Sequence, residues 1–199
     1  SLNTITLDNV ISYYQKHFNP NKAYLVVVGD VDVLKVKKQV KGFFNDWQEG
    51  VDVSRTMTAS TPNLPYTQIN FVDMPNAVQS SVKFTNNVNL KMNDPDYHAV
   101  LLANYILGGG GEGYLFLNLR EDKAYTYGSY SSLSTDKYVG NFSATASVRN
   151  MVTDSSVVAM LSEIKRIRTE KVDVQRLKDA KAKYTGSFVM AVERPSTIA

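Results

Sequence analysis

The chain has 199 residues, 43% hydrophobic and 21% charged, with 11 Gly and 6 Pro, a composition that excludes disordered, collagenous and low-complexity classes and permits a sizeable core. Lys and Arg number 22 against 19 Asp and Glu, a net charge of +3, and the densest basic run, Lys35, Lys37, Lys38 and Lys41, is a solvated helix face, so no nucleic-acid partner is expected. The absence of Cys removes disulfides, thiolate zinc sites, iron–sulfur clusters and cysteine nucleophiles; an oxidising compartment is permitted, not indicated.

Thr6 is positioned to cap a helix whose apolar residues Val10, Ile11, Tyr14 and Phe18 keep a helical period, with Asp8 in its first turn. Asn19-Pro20-Asn21 stops it. The β-branched run Tyr24-Leu25-Val26-Val27-Val28, closed by Gly29-Asp30, reads as a strand buried on both faces. Val33, Val36, Val40, Phe43, Phe44 and Trp47 then recur at helical spacing and predict a helix packed over that strand. Residues 49–66 lose periodicity and gather Gly, Ser, Thr and Pro, which predicts a linker. Strands follow at 67–73 and 78–86, joined at Pro75-Asn76, the second alternating Val78, Ser80, Val82 and Phe84 on one face.

Asp94-Pro95-Asp96 reads as the N-cap, first residue and first-turn acid of a helix carrying Tyr97, Val100, Leu101, Asn104 and Ile106, which must end at Gly108-Gly109-Gly110-Gly111. A short helix over about 112–121 buries Leu115, Phe116 and Leu119. Strands at 124–134 and 138–149 come next, the latter placing Phe142, Ala144, Ala146 and Val148 on one face. Asp154 is a candidate cap for a helix with Val157, Val158, Leu161, Ile164 and Arg168, and a last helix takes Val174, Leu177, Ala180, Tyr184 and Phe188. The order predicts an α+β fold, an antiparallel or mixed sheet packed against helices.

Most short motifs fail on context. Gly108, Gly110 and Gly113 spell G-x-G-x-x-G, but a helix precedes them where a dinucleotide site needs a strand. Asp30-Val31-Asp32 begins like a calcium loop, yet Leu34 stands where a third ligand is needed, so a turn opening a helix is the better reading. His17 and His98 lie on separate helices without a second His at i+4, so no metal site is expected from this chain. No G-x-S-x-G elbow is present. No apolar run approaches the roughly 18 residues of a membrane span. Ser1-Leu2-Asn3-Thr4 lacks signal-peptide features, and the missing initiator Met and abrupt end at Ala199 suggest a piece of a longer protein. More informative is Leu119-Arg120-Glu121-Asp122-Lys123-Ala124-Tyr125-Thr126-Tyr127-Gly128, where a turn can bring Arg120, at a helix end, and Tyr127, on the next strand, to one side of the sheet. The alternative is that Arg120 neutralises a helix terminus and Tyr127 is a good strand former.

In order and spacing, Asn19-Pro20-Asn21 with Leu25-Val26-Val27-Val28-Gly29-Asp30, Gln79-Ser80, Asp94-Pro95-Asp96-Tyr97, Ile106-Leu107-Gly108-Gly109-Gly110, and Leu119 to Gly128 resemble the insulinase, pitrilysin and mitochondrial processing peptidase family of zinc metallopeptidases. The resemblance covers nearly the whole chain. It implies a processing-peptidase-like metallohydrolase domain, one of repeated α+β domains whose halves face each other around a chamber. Residues 1–48 would be the closing helix-strand-helix of a preceding domain, 49–66 a linker, and 67–199 a second domain cut short at its C-terminus. The family's zinc motif His-x-x-Glu-His is absent, so zinc is expected on a complementary N-terminal half or partner subunit, with no cofactor in this chain. Arg120 and Tyr127 match the family's Arg and Tyr that reach toward the zinc and hydrogen-bond the scissile carbonyl of a peptide or protein substrate. Gly108, Gly109, Gly110 and Gly111 match a loop that contacts substrate in noncatalytic subunits. The sequence departs at Glu112-Gly113-Tyr114-Leu115, where a Ser-Arg-Leu type is commoner. The alternative reading is a noncatalytic peptide-binding partner or scaffold subunit. The repeat also leads to the expectation that residues 24–28 pair with a strand of 67–149, within the chain or swapped between two copies as a homodimer.

Overall fold

Strict alternation of small or apolar residues with polar ones builds the centre of the molecule. The computed structural model describes residues 2–50, 62–135 and 139–198. Strands β1 (Gln79–Val88), β2 (Thr126–Ser134) and β3 (Gly140–Arg149) form an antiparallel sheet in the order β1-β3-β2. β1 pairs with β3 from Gln79↔Arg149 to Val88↔Gly140 without interruption. That register puts Val82, Ala144, Ala146 and Val148 on one buried face, joined by Ser129 and Ser131 of β2. The inner face is thus built largely of small residues, which lets helices approach closely.

Helices α3 (Tyr97–Gly108), the single turn α4 (Tyr114–Phe116) and α5 (Thr153–Thr169) cover this face, and α6 (Val174–Val192) packs through Ala180 against α3 and α4. Leu107, Leu115, Leu119 and Met160 fill the core against the sheet, flanked by Phe84, Phe142, Val157 and Ile164. Ile106, Tyr114 and Ala180 form a second cluster with Leu102 and Leu177. The other face of the sheet carries Ser81, Lys83, Tyr130, Thr145 and Ser147, all exposed, as suits an antiparallel sheet covered on one side. The alternation expected is observed for Ser80, Val82 and Phe84 in β1 and for Phe142, Ala144, Ala146 and Val148 in β3, whereas Val78 precedes β1 and is exposed.

Two compact units are present, Ser1–Thr58 with Phe188–Ala199 and Ala59–Ser187. In the first, α1 (Leu7–His17) starts at Thr6 through a capping box with Asn9, and α2 (Val33–Phe44) starts at Asp32, whose Oδ1 accepts from the Lys35 N–H at 3.0 Å. The Asp30–Asp32 stretch is thus a helix entry, as its sequence implies. The strand expected at 24–28 is not formed: these residues enter no ladder, and Tyr24 is 90% exposed. A strand exists only with a hydrogen-bonded neighbour, and among the described residues none flanks this run, so the pairing expected within the chain with a strand of 67–149 is not made. Nor does α2 pack over it as expected, since α2 buries none of its side chains.

In the second unit the strand expected at 67–73 also lacks a ladder, with Ile69, Phe71 and Val72 exposed. The Pro75-Asn76 joint does form: the Ala77 N–H donates to the Met74 carbonyl at 3.1 Å, and Asn76 has φ 66°, the left-handed value that a type II turn needs after Pro. Helix α3 begins at Tyr97 rather than Pro95, because the Asp94 carboxylate accepts the Lys91 N–H at 2.7 Å and closes a preceding turn. Asp154 does not cap α5; the helix begins at Thr153, whose hydroxyl bonds the Asn150 carbonyl and Ser80. The unpredicted cap is Asp173, whose Oδ1 accepts from the N–H groups of Gln175 and Arg176. Part of the expected linker, residues 51–61, lies outside the described residues.

Candidate functional site

The helix expected over 112–121 is one α-turn followed by a π-helix, Leu117–Asp122. Its wider register is visible where the Lys123 N–H donates to the Asn118 carbonyl, five residues back, at 3.1 Å. Such π-turns are rare and frequently accompany functional sites. Ala124 ends the π-helix in the left-handed region at φ 49°, letting the Tyr125 N–H reach the Leu119 carbonyl at 2.8 Å. Beneath the π-helix, Asn118 donates to the buried carboxylate of Glu163 on α5, which also pairs with Arg166 at 3.4 Å.

Arg120 projects from this π-helix. Its guanidinium lies over the Phe116 ring, 4.8 Å from the centroid, and pairs with Glu121 at 3.5 Å. The Phe116 ring in turn stands 5.7 Å from that of Tyr130 on β2. Tyr130 folds down over Gly128, where a Cβ would lie 2.7 Å from its ring.

Tyr127 lies one residue before Gly128, in a β-bulge. Thr126 pairs with Val148 and Ser129 with Ala146, so Tyr127 and Gly128 together face Ser147 of β3. By alternation with Ser129 and Ser131, both buried, Tyr127 would point into the core; instead it is 87% exposed. A bulge re-aims a side chain in this way. Tyr127 and Tyr130 line a shallow groove of about 400 Å³ with Gln79, Ser81, Thr145 and Ser147. Arg120 is thus carried on Phe116, whose ring meets Tyr130, and Tyr127 lines a groove with that same Tyr130. The single signal for this arrangement in the sequence is Gly128 inside a strand pattern, a mark of a bulge or close approach.

The glycine run follows the end of α3. Gly108 is buried against β2, with a would-be Cβ 2.5 Å from the Ser131 backbone nitrogen, while Gly109 and Gly111 are exposed and Gly110 is half-buried. Gly111 lies beside Phe116, and so beside the aromatic patch. The unusual Glu112-Gly113-Tyr114 clamps this loop to α5 and α6: Arg176 donates to the Glu112 carbonyl at 2.7 Å, Lys183 pairs with its carboxylate at 3.3 Å, and Arg166 and Arg176 lie over the Tyr114 ring at 4.2 and 5.0 Å. Hydrogen bonding to Tyr105, then to Glu112, holds the Lys183 ammonium above the usual lysine range.

His98 Nδ1 lies 2.9 Å from the Tyr184 hydroxyl, and His17 stacks on Tyr13. Among the described residues no group of three or more His, Cys, Asp or Glu side chains is placed to hold a metal ion. No helix among them is long and apolar enough to cross a membrane.

An antiparallel three-stranded sheet covered by helices on one face defines an α+β domain. The family described as the peptidase M16 inactive domain matches residues 4–184, and the chain belongs to it. An uncharacterized zinc protease of Rickettsia felis is 28% identical over 200 residues, covering 98% of this chain and 45% of the relative. The chain spans less than half the length of that relative. In fold it is similar to the crystal structure of a peptidase M16 inactive domain from Pseudomonas fluorescens, with a TM-score of 0.80, 23% identity, and coverage of 92% of this chain and 44% of the other. It is also similar to a protease from Helicobacter pylori, with a TM-score of 0.83, 18% identity, and coverage of 100% and 48%.

Proposed function

We propose that this chain supplies the substrate-facing, zinc-free side of a peptidase that hydrolyses peptide bonds of an enclosed peptide or protein. The metal is held by a complementary N-terminal half or partner subunit. The phenol O–H of Tyr127 and the guanidinium of Arg120 donate hydrogen bonds to the oxygen of the scissile carbonyl, and the exposed glycines Gly109 and Gly111, with Gly110 between them, touch the substrate backbone. As the carbonyl carbon is attacked, its oxygen gains negative charge; donors aimed at it then bind the transition state more tightly than the ground state. Both groups are suited to this, since a guanidinium presents five N–H donors in a planar fork and a phenol one O–H donor. What supports the reading is the bulge: it turns Tyr127 out of the core parity and onto the sheet face that Tyr130 shares, beside the rings that carry Arg120.

The test is turnover of the assembled peptidase. Tyr127→Phe and Arg120→Ala should each lower kcat by roughly 10² to 10³ with the fold intact, the loss usual for one oxyanion donor. Turnover near wild type in both variants would make the chain a noncatalytic peptide-binding subunit instead.

A further inference from the structure

We propose that Thr126 is a positioning residue whose hydroxyl locks the bulge that aims Tyr127, and that Gly128 lets the same bulge set the aromatic pair carrying Arg120. The proposal rests on the reading of Tyr127 and Arg120 given above. A bulge interrupts the ladder and leaves backbone groups in need of partners. Thr126 Oγ1 supplies them: it accepts the Gly128 N–H at 3.2 Å and lies 2.6 Å from the Ser147 carbonyl, the β3 group opposite the bulge. The Gly128 carbonyl, at 3.0 Å, is a second acceptor within reach. A hydroxyl has one proton and two lone pairs, so one side chain ties the bulged strand both to itself and to its neighbour.

The alternative conformation has a defined consequence. If the extra residue is absorbed, the side-chain alternation of β2 runs unbroken through Ser129 and points Tyr127 toward the packed face. The bulge therefore decides which side of the sheet the phenol occupies. Gly128 couples this to the second donor: any Cβ there meets the Tyr130 ring at 2.7 to 3.0 Å, and displacing Tyr130 removes the ring packed against Phe116, on which Arg120 rests. Both donors are thus set from one bulged segment, through different contacts.

The experiment uses the assembled peptidase and four variants: Thr126→Val, Thr126→Ser, Tyr127→Phe and the double variant with Val and Phe. Val keeps the branched shape favoured in strands and removes only the hydroxyl. The expected result is a fall in kcat of about 10- to 100-fold for T126V with little change in KM, the scale of a roughly 1 Å misplacement of a reacting group. T126S should restore kcat, and T126V should add nothing in the Y127F background. Hydrogen exchange should quicken in the segment around Gly128 in T126V and stay unchanged in β1. Wild-type kcat for T126V, equal losses in T126V and T126S, or additive losses in the double variant would each overturn the positioning role. Wild-type kcat for Y127F would instead overturn the underlying reading, and the role built on it.

Discussion

Ala124 shows what one residue contributes between the two donors. It adopts φ 49°, where an L side chain with a Cβ is strained by about 1–2 kcal/mol. The strain buys the chain reversal: the Tyr125 N–H reaches back to the Leu119 carbonyl, and β2 begins immediately after. Replacing Ala124 with Gly relieves that strain, offset by about 0.5–1 kcal/mol for the freer unfolded chain. Ala124→Gly should therefore raise unfolding free energy by about 0.5–1 kcal/mol, visible as a higher denaturant midpoint at constant slope. A lower midpoint would show that the methyl group makes a contact that outweighs the strain. At this scale the sequence makes Arg120 and Tyr127 visible as a polar pair across a turn, but not Thr126, Phe116 or Tyr130. Their roles depend on a one-residue insertion in the ladder, and residue type alone does not carry that.

Many elements were legible where local pattern decides them, although the helix starts read at Asp94 and Asp154 fell instead at Tyr97 and Thr153. Capping at Thr6, the helix entry at Asp30–Asp32, the Pro75-Asn76 turn and the alternation in β1 and β3 all rest on contacts within a few residues or on period. The runs at 24–28 and 67–73 have strand composition but no ladder, because pairing is a property of a neighbour. The π-helix was unreadable for another reason: it differs from an α-helix by one step of hydrogen bonding, and three apolar residues fit either register. The glycine run joins two elements and divides into different jobs. A Cβ on Gly108 would strike the Ser131 backbone and Leu115, while one on Gly110 meets only the Tyr105 hydroxyl at 4.0 Å. Gly108→Ala should destabilise the sheet-helix contact by about 1–3 kcal/mol, the cost of overpacking a closed core. Gly110→Ala should stay within about 0.5 kcal/mol of wild type. Equal effects of the two substitutions in thermal unfolding would contradict this division.

On the scale of the molecule, the same local rules leave apolar surface uncovered. Helices α1 and α2 are amphipathic yet bury none of their side chains; Leu7 is 73% exposed and Phe43 82%. Phe71 and Ile69 in the other unit are 83% and 85% exposed. Exposed apolar helix faces and side chains of this kind are interaction surfaces or aggregation liabilities. The two imidazoles, His17 and His98, are each engaged by a tyrosine rather than by a second ligand. The isolated 199-residue chain should therefore bind an apolar dye strongly, self-associate as its concentration rises, hold no stoichiometric zinc and cleave no peptide. Dye titration, sedimentation and metal analysis read these outcomes separately. A monomer that excludes the dye would mean the exposed faces close on each other in solution. One tightly held zinc per chain, lost in His17→Ala or His98→Ala, would place metal chemistry in the chain itself and overturn the assignment of zinc to a partner half.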